Sequence, residues 1–184
     1  LGIMMALLMV GLIHLIHFAF NRRLLDSLSF GVFSLLWVAY IWTYSGFAAE
    51  SACSLNFKFK MNVVLFFGIF AIFPIFITQF FNQKLPWVLK TIIVLTLLCI
   101  PVVMFLPEPG MAYLPLELVE LMTIPSIISI FWIFRQAITE EKPYAKLMVW
   151  VLMVYIVFGS ADIWLDYFQV VNDKSSHLLG PWAL

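Results

Sequence analysis

The chain has 184 residues, of which 64% are hydrophobic and only 11% are charged, and its ten basic residues balance its ten acidic residues. Globular domains average roughly 45–50% apolar and about 25% charged residues. So few charged groups cannot cover the surface of a soluble protein of this length, and no basic patch indicates nucleic-acid binding. The composition therefore indicates a polytopic membrane protein.

Six apolar runs are long enough to cross a bilayer, which takes roughly 20 helical residues. In chain order they are approximately residues 2–20, 28–46, 61–81, 87–106, 114–134 and 147–168, and a seventh run starts near residue 178. None has the polar side of a soluble helix or the alternation of a barrel strand. The sequence predicts an all-α transmembrane bundle of six full helices and the start of a seventh.

The connectors between these runs are short, so we expect one transmembrane domain over residues 1–184. Because both ends of the sequence fall inside apolar runs, we expect it to be a piece of a longer polypeptide. Pro74, Pro101 and Pro125 fall within the third, fourth and fifth runs. Proline removes a backbone hydrogen bond and bends a helix, so these positions are either signalling hinges or static bends.

Lysine and arginine residues near helix ends predict the orientation of the bundle, because cytoplasmic loops retain them. An amino end outside the cell puts seven basic residues on the inner side and three on the outer side. The inner set is Arg22, Arg23, Lys84, Lys90, Arg135, Lys142 and Lys146, and the outer set is Lys58, Lys60 and Lys174. This asymmetry favours an outside amino end.

Two histidines in the first run, His14 and His17, are the first candidate site residues. Their i, i+3 spacing places them on one side of the helix, in its inner half. Interhelical hydrogen bonding and interfacial placement are the structural interpretations. A ligand-binding or pH-sensing role is the functional alternative, because histidine titrates near physiological pH. Haem or metal binding needs further ligands at that depth, and His177 lies in an outer connector, so no cofactor or metal is expected.

Four carboxylates form the second candidate group. Glu117 and Glu120 share a side near the outer end of the fifth run, and Asp162 and Asp166 share one near the outer end of the sixth. If the two pairs meet, they make an outer pocket for a cation or a proton. A hydrated rim is the simpler interpretation. The two cysteines, Cys53 and Cys99, have neither metal-binding spacing nor a disulfide framework.

Three segments resemble a known family. "LGIMMALLMVGLIHLIHFAFNRRLLDSLSFGVFSLLWVAYIWTYSG" resembles the first helical hairpin of bacterial seven-transmembrane receptors with diverse intracellular signalling modules. "RQAITEEKPYAKLMVWVLMVYIVFGSADIWLDYF" is similar to the turn and sixth helix of that family, and "LLGPWAL" to the start of its seventh. The resemblance implies a periplasmic sensing domain before the first helix and a cytoplasmic output domain after the seventh. It implies no catalytic residues in the membrane region.

Three functions remain open from the sequence. The leading hypothesis is a membrane-embedded signal-transduction region without catalysis of its own, in which a ligand or partner favours one of two helix packings. A homodimer is compatible with it. The alternative is a small cation- or proton-coupled transporter or channel subunit that uses the carboxylates. The third is an intramembrane enzyme or haem protein built around the histidines.

Overall fold

The computed structural model describes residues 2–44, 55–106 and 113–150, together with residue 153. Its long helices are α1 (Gly2–Phe20), α2 (Leu25–Tyr44), α3 (Leu55–Phe80), α4 (Trp87–Phe105) and α5 (Tyr113–Thr139), and these ranges contain no strand. All five are long and apolar enough to cross a membrane. The prediction of an all-α transmembrane protein is confirmed. Most of the sixth run and all of the seventh lie outside the described residues, so the full helix count stays a prediction.

The helix bounds agree with the predicted ranges to different degrees along the chain. α1 and α4 match their predicted ranges, whereas α3 begins at Leu55 instead of residue 61 and α5 continues to Thr139 instead of residue 134. Hydropathy marks the part of a helix that lies in hydrocarbon, while Lys, Asn and Gln are compatible with helix beyond it. The difference therefore reflects helical extensions into the membrane interface.

Consecutive helices pack against one another from α1 to α4, and α3 is the most buried of them. The core cluster consists of Val63 and Phe67 of α3, Cys99 and Val103 of α4, and Val119 of α5. Val119 connects α5 to this cluster. Pro74, Pro101 and Pro125 lie inside α3, α4 and α5, as the sequence predicts.

Two helices end in the same way. Asn82, two residues beyond α3, has a positive φ of 52°. Glu141, two residues beyond α5, has a positive φ of 53°. In each case the next amide donates to a carbonyl five residues earlier, from Gln83 to Thr78 and from Lys142 to Ala137. This pairing satisfies carbonyl groups that a helix end otherwise leaves free, and it turns the chain sharply at the basic connectors.

The chain divides into two compact units, residues 1–135 and 136–184. The first contains the five-helix packing. In the second, the end of α5 is followed by the turn at Glu141 and by helical residues 145–150. Lys142 Nζ lies 3.6 Å from Glu140 Oε2 in that turn. The expectation of one domain over residues 1–184 stays a prediction.

Candidate signal-relay site

His14 lies at the contact between α1 and α2. Its ring meets Phe30 edge to face, with 4.7 Å between centroids and 70° between planes. Its Nδ1 atom is buried and has no hydrogen-bond partner. A polar atom that is shielded from both water and a partner is costly in a membrane. His14 is therefore a packed ring with an unused hydrogen-bonding group.

Small residues bring α1 and α2 close together beside His14. A Cβ atom on Gly31 would lie 2.8 Å from Leu15 Cδ2 and 3.1 Å from the Gly11 carbonyl oxygen. A Cβ atom on Gly11 would lie 3.2 Å from Ser34 Cβ. Small residues at a membrane helix crossing allow this close approach, which stabilises the pair through van der Waals contact. The glycines thus hold the His14 ring against α2.

His17 has a different environment from His14. Three residues correspond to about 300° of helical rotation, so the two side chains point about 60° apart. That angle leaves His14 half-buried against α2 and His17 exposed. The two histidines therefore do not form a joint pocket. The described residues also contain no group of three or more potential metal ligands among His, Cys, Asp and Glu.

The carboxylates are only partly placed. Glu117 and Glu120 are both exposed, in the first two turns of α5. Asp162 and Asp166 lie outside the described residues. The prediction that the two pairs meet at one outer pocket therefore stays a prediction.

A chain of rings, which the sequence analysis missed, links four helices at one end of the bundle. Phe30 packs on Phe76 of α3 at 5.0 Å between centroids, and Phe76 packs on Phe80 at 5.7 Å. Phe80 contacts Phe81 at 5.1 Å, and Phe81 contacts Phe134 of α5 at 5.6 Å. We call this set, together with His14, the aromatic end. The recurring i+3 and i+4 spacing of phenylalanine was its sequence signal.

Hydrogen bonds link the helices at the opposite end of the bundle. Asn62 Nδ2 of α3 donates to Thr43 Oγ1 of α2 at 3.0 Å. Lys60 Nζ donates to the carbonyl of Leu106, the C-cap residue that follows α4. A cation at a helix C-terminus is favourable because it faces the negative end of the helix dipole. We call these four residues the polar end.

The ring contacts of the aromatic end suit mechanical coupling between helices. Ring pairs with centroids roughly 4.5–7 Å apart are in favourable contact, so rings can shift within that range, and a larger displacement must be followed by the neighbouring ring. The aromatic end thus connects α1 to α2, α3 and α5 through ring contacts. It can pass a change in helix packing between them.

Five apolar helices of membrane-spanning length in the described ranges define a multi-pass membrane protein. A family profile described as "7TM diverse intracellular signalling" matches residues 1–180. The chain belongs to this family of membrane sensor and signalling regions, and the resemblance drawn from its sequence is confirmed. No curated protein and no solved structure matches the chain.

Proposed function

We propose that this region relays an extracytoplasmic signal across a bacterial inner membrane to a cytoplasmic output domain in the same polypeptide. The family match over residues 1–180 carries this proposal. The region itself acts by changing helix packing and needs no catalytic residue or cofactor. A signal can shift such an equilibrium only by binding one packing more tightly than the other.

The aromatic end supports a relay role for His14. A shift or rotation of α1 moves the His14 ring on Phe30, and Phe30 in turn contacts Phe76. The Gly11–Gly31 crossing keeps α1 within reach of α2 during such a movement. His17, Glu117, Glu120, Asp162 and Asp166 remain candidate ligand or relay residues in this proposal.

The proposed orientation puts the amino end and the polar end outside and the aromatic end inside. The seven-to-three distribution of basic residues supports it. Arg135, one of the seven, also marks a membrane interface, because its guanidinium lies 5.8 Å from the Trp132 ring centroid. Aromatic and basic side chains concentrate where a helix leaves the hydrocarbon. Trp132 is exposed, which suits a side chain at the lipid headgroups.

Single-cysteine labelling tests this orientation. In a background with Cys53→Ser and Cys99→Ala, a membrane-impermeant maleimide on intact spheroplasts should label Lys58→Cys. It should label Arg22→Cys and Lys142→Cys only after the membrane is opened. Labelling of Arg22→Cys from outside would reverse the proposed orientation.

The reading frame around this region tests the relay function most directly. We expect a sensing domain on its amino side and a soluble signalling module after the seventh helix. A frame that ends at the seventh helix, together with ion flux in liposomes that Asp162→Asn abolishes, would establish the transporter instead.

A reversible lock between α1 and α2 then tests the mechanism in the full-length protein. The Gly11 and Ser34 Cβ positions are 3.2 Å apart. A disulfide spans roughly 3.5–4.5 Å between Cβ atoms, so a small separation of the two helices accommodates the bond. We expect the output activity of Gly11→Cys/Ser34→Cys to change on reduction, while both single-cysteine variants stay unaffected. An output that ignores a fully formed lock would contradict a relay through this contact.

A further inference from the structure

Two buried hydroxyl groups differ from the others in the bundle. Hydroxyls in membrane helices commonly donate to a carbonyl three or four residues earlier in the same helix. Among the described residues, the hydroxyls that do so include Ser29, Ser34, Thr43, Thr78, Thr91, Thr123 and Ser129. Thr96 of α4 and Ser126 of α5 are only 0% and 2% exposed, yet neither hydroxyl oxygen has a hydrogen-bond partner. Unpaired buried hydroxyls are costly, so a missing partner is indicated.

Both hydroxyls lie on the core-facing stripe of their helix. The buried positions of α4 include a run with alternating steps of three and four residues, which is Leu89, Ile92, Thr96, Cys99 and Val103. Ser126 falls midway between Val119 and Ile133, both buried, at steps of seven residues. Such spacing places side chains along one side of a helix. Each helix therefore directs its polar side chain toward its neighbours.

The two hydroxyls also lie at similar depth. Val103 of α4 and Val119 of α5 belong to one core cluster. Thr96 lies seven residues before Val103, and Ser126 lies seven residues after Val119. Because consecutive helices cross in opposite directions, both steps lead about two turns, or roughly 10 Å, the same way through the bundle. The hydroxyls are thus level within about one turn.

α3 supplies a third group at this level. Phe67 and Cys99 share the core cluster, and Phe70 and Thr96 each lie three residues farther in the same direction. Pro74, which is fully buried inside α3, has no amide hydrogen to donate to the Phe70 carbonyl. That carbonyl lacks its usual helical donor and can accept a hydrogen bond from elsewhere.

We propose that α3, α4 and α5 bind one ordered water molecule in the middle of the membrane. The hydroxyls of Thr96 and Ser126 and the carbonyl oxygen of Phe70 are its hydrogen-bond partners. Buried waters typically make about three hydrogen bonds to otherwise unpaired polar groups, which is the number available here. A direct bond between the two hydroxyls leaves the Phe70 carbonyl without a donor. The water instead pairs all three groups and connects the Pro74 bend to both neighbouring helices.

Removing the hydroxyls tests the site. The folding equilibrium constant falls if they have a hydrogen-bond partner and rises if they have none. The variants are Thr96→Val, Ser126→Ala and their combination in the full chain, and folding is measured by SDS titration in mild-detergent micelles. We expect each single variant to lower the folding equilibrium constant about three- to tenfold. The double variant should lower it little further, because the first substitution already displaces the water. Ser129→Ala is the control, since that hydroxyl donates to Pro125 of its own helix at 2.8 Å.

Two outcomes of this cycle would overturn the proposal. If the hydroxyls have no partner, apolar replacements of similar shape raise the folding constant. If they have separate partners, the two losses multiply. A direct hydrogen bond between the two hydroxyls is a further alternative, and a structure at a resolution that shows ordered water distinguishes it from a bound water. Density within hydrogen-bond distance of both hydroxyls and of the Phe70 carbonyl supports the site, whereas directly bonded hydroxyls contradict it.

Discussion

The two ends of the bundle are held together in different ways. The aromatic end connects α1, α2, α3 and α5 through tilted and edge-on rings, and the Nδ1 atom of its one polar side chain, His14, has no hydrogen-bond partner. The polar end connects α2 to α3 and α3 to α4 through directed hydrogen bonds. Hydrogen bonds fix a distance and an angle, whereas rings remain in contact over a range of positions.

This difference indicates which end can move. A sliding or rotating helix breaks a hydrogen bond at once but can keep a ring contact. The aromatic end is therefore the part of the bundle suited to repacking, and the polar end is suited to keep the helices in register. The variants below separate the contributions of the two ends.

The largest stability effect is expected from Phe76→Ala at the aromatic end. Phe76 is 7% exposed and contacts the rings of Phe30, Phe33 and Phe80. Moving an apolar side chain from lipid into the bundle changes its transfer free energy very little. We therefore expect the cavity alone to lower the free energy of unfolding by about 2–3 kcal/mol. SDS titration measures the loss. Phe105→Ala is the matched control because that ring is 86% exposed, and an equal loss there would refute the packing argument.

A smaller loss is expected from Gly31→Ala. The new methyl meets Leu15 Cγ at 2.9 Å and the Gly11 carbonyl oxygen at 3.1 Å, so α1 and α2 must separate. Overpacking costs about 1–3 kcal/mol, and the helix propensity of alanine returns up to about 1 kcal/mol. At Gly68 the nearest atom is the flexible tip of Leu36 at 3.3 Å. Gly68→Ala should therefore be nearly neutral, and equal effects of the two variants would argue against a tight α1–α2 crossing.

At the polar end, a double-mutant cycle of Asn62→Leu and Thr43→Val isolates one interhelical hydrogen bond. The donor and acceptor are 3.0 Å apart. Such bonds contribute on average about 0.6 kcal/mol inside membranes, so we expect a coupling energy of that size. A coupling above the Phe76→Ala loss would show that the polar end holds the helices together more strongly than the aromatic end.

The smallest stability effect is expected from His14→Phe. The substitution keeps the edge-on ring against Phe30 and removes the unpaired Nδ1 atom, so folding should be unchanged or slightly favoured. The relay proposal predicts altered output from the full-length protein despite normal folding. His17→Phe is the control, since His17 is exposed. Unchanged output in both variants would leave His14 with a packing role only.

Much of the fold follows from the sequence because lipid imposes a simple rule. A backbone in hydrocarbon must pair its own polar groups, so a long apolar run such as residues 87–106 has little choice but to form a helix. The helix extensions were missed because they lie outside hydrocarbon, where hydropathy carries no signal. At Leu55 and Thr139 the polar residues nearby continue the helix instead of ending it.

The candidate site was less predictable because pairing between helices depends on rotation and depth. The spacing of His14 and His17 is visible in the sequence, but their different burial arises from the direction of α2. The ring contacts depend likewise on which side of α3 faces α2. The periodicity of phenylalanine indicates which rings can make such contacts. Which rings they contact depends on the rotation of each helix.

The short connector between α1 and α2 has a consequence for biogenesis. Only residues 21–24 separate the two helices, and the crossing at Gly11 and Gly31 lies wholly within them. Independently stable helices can associate in the bilayer after insertion, without waiting for distant parts of the chain. Residues 2–44 thus form a hairpin that can assemble while the ribosome is still synthesising the later helices, and those helices find a preformed surface on α2.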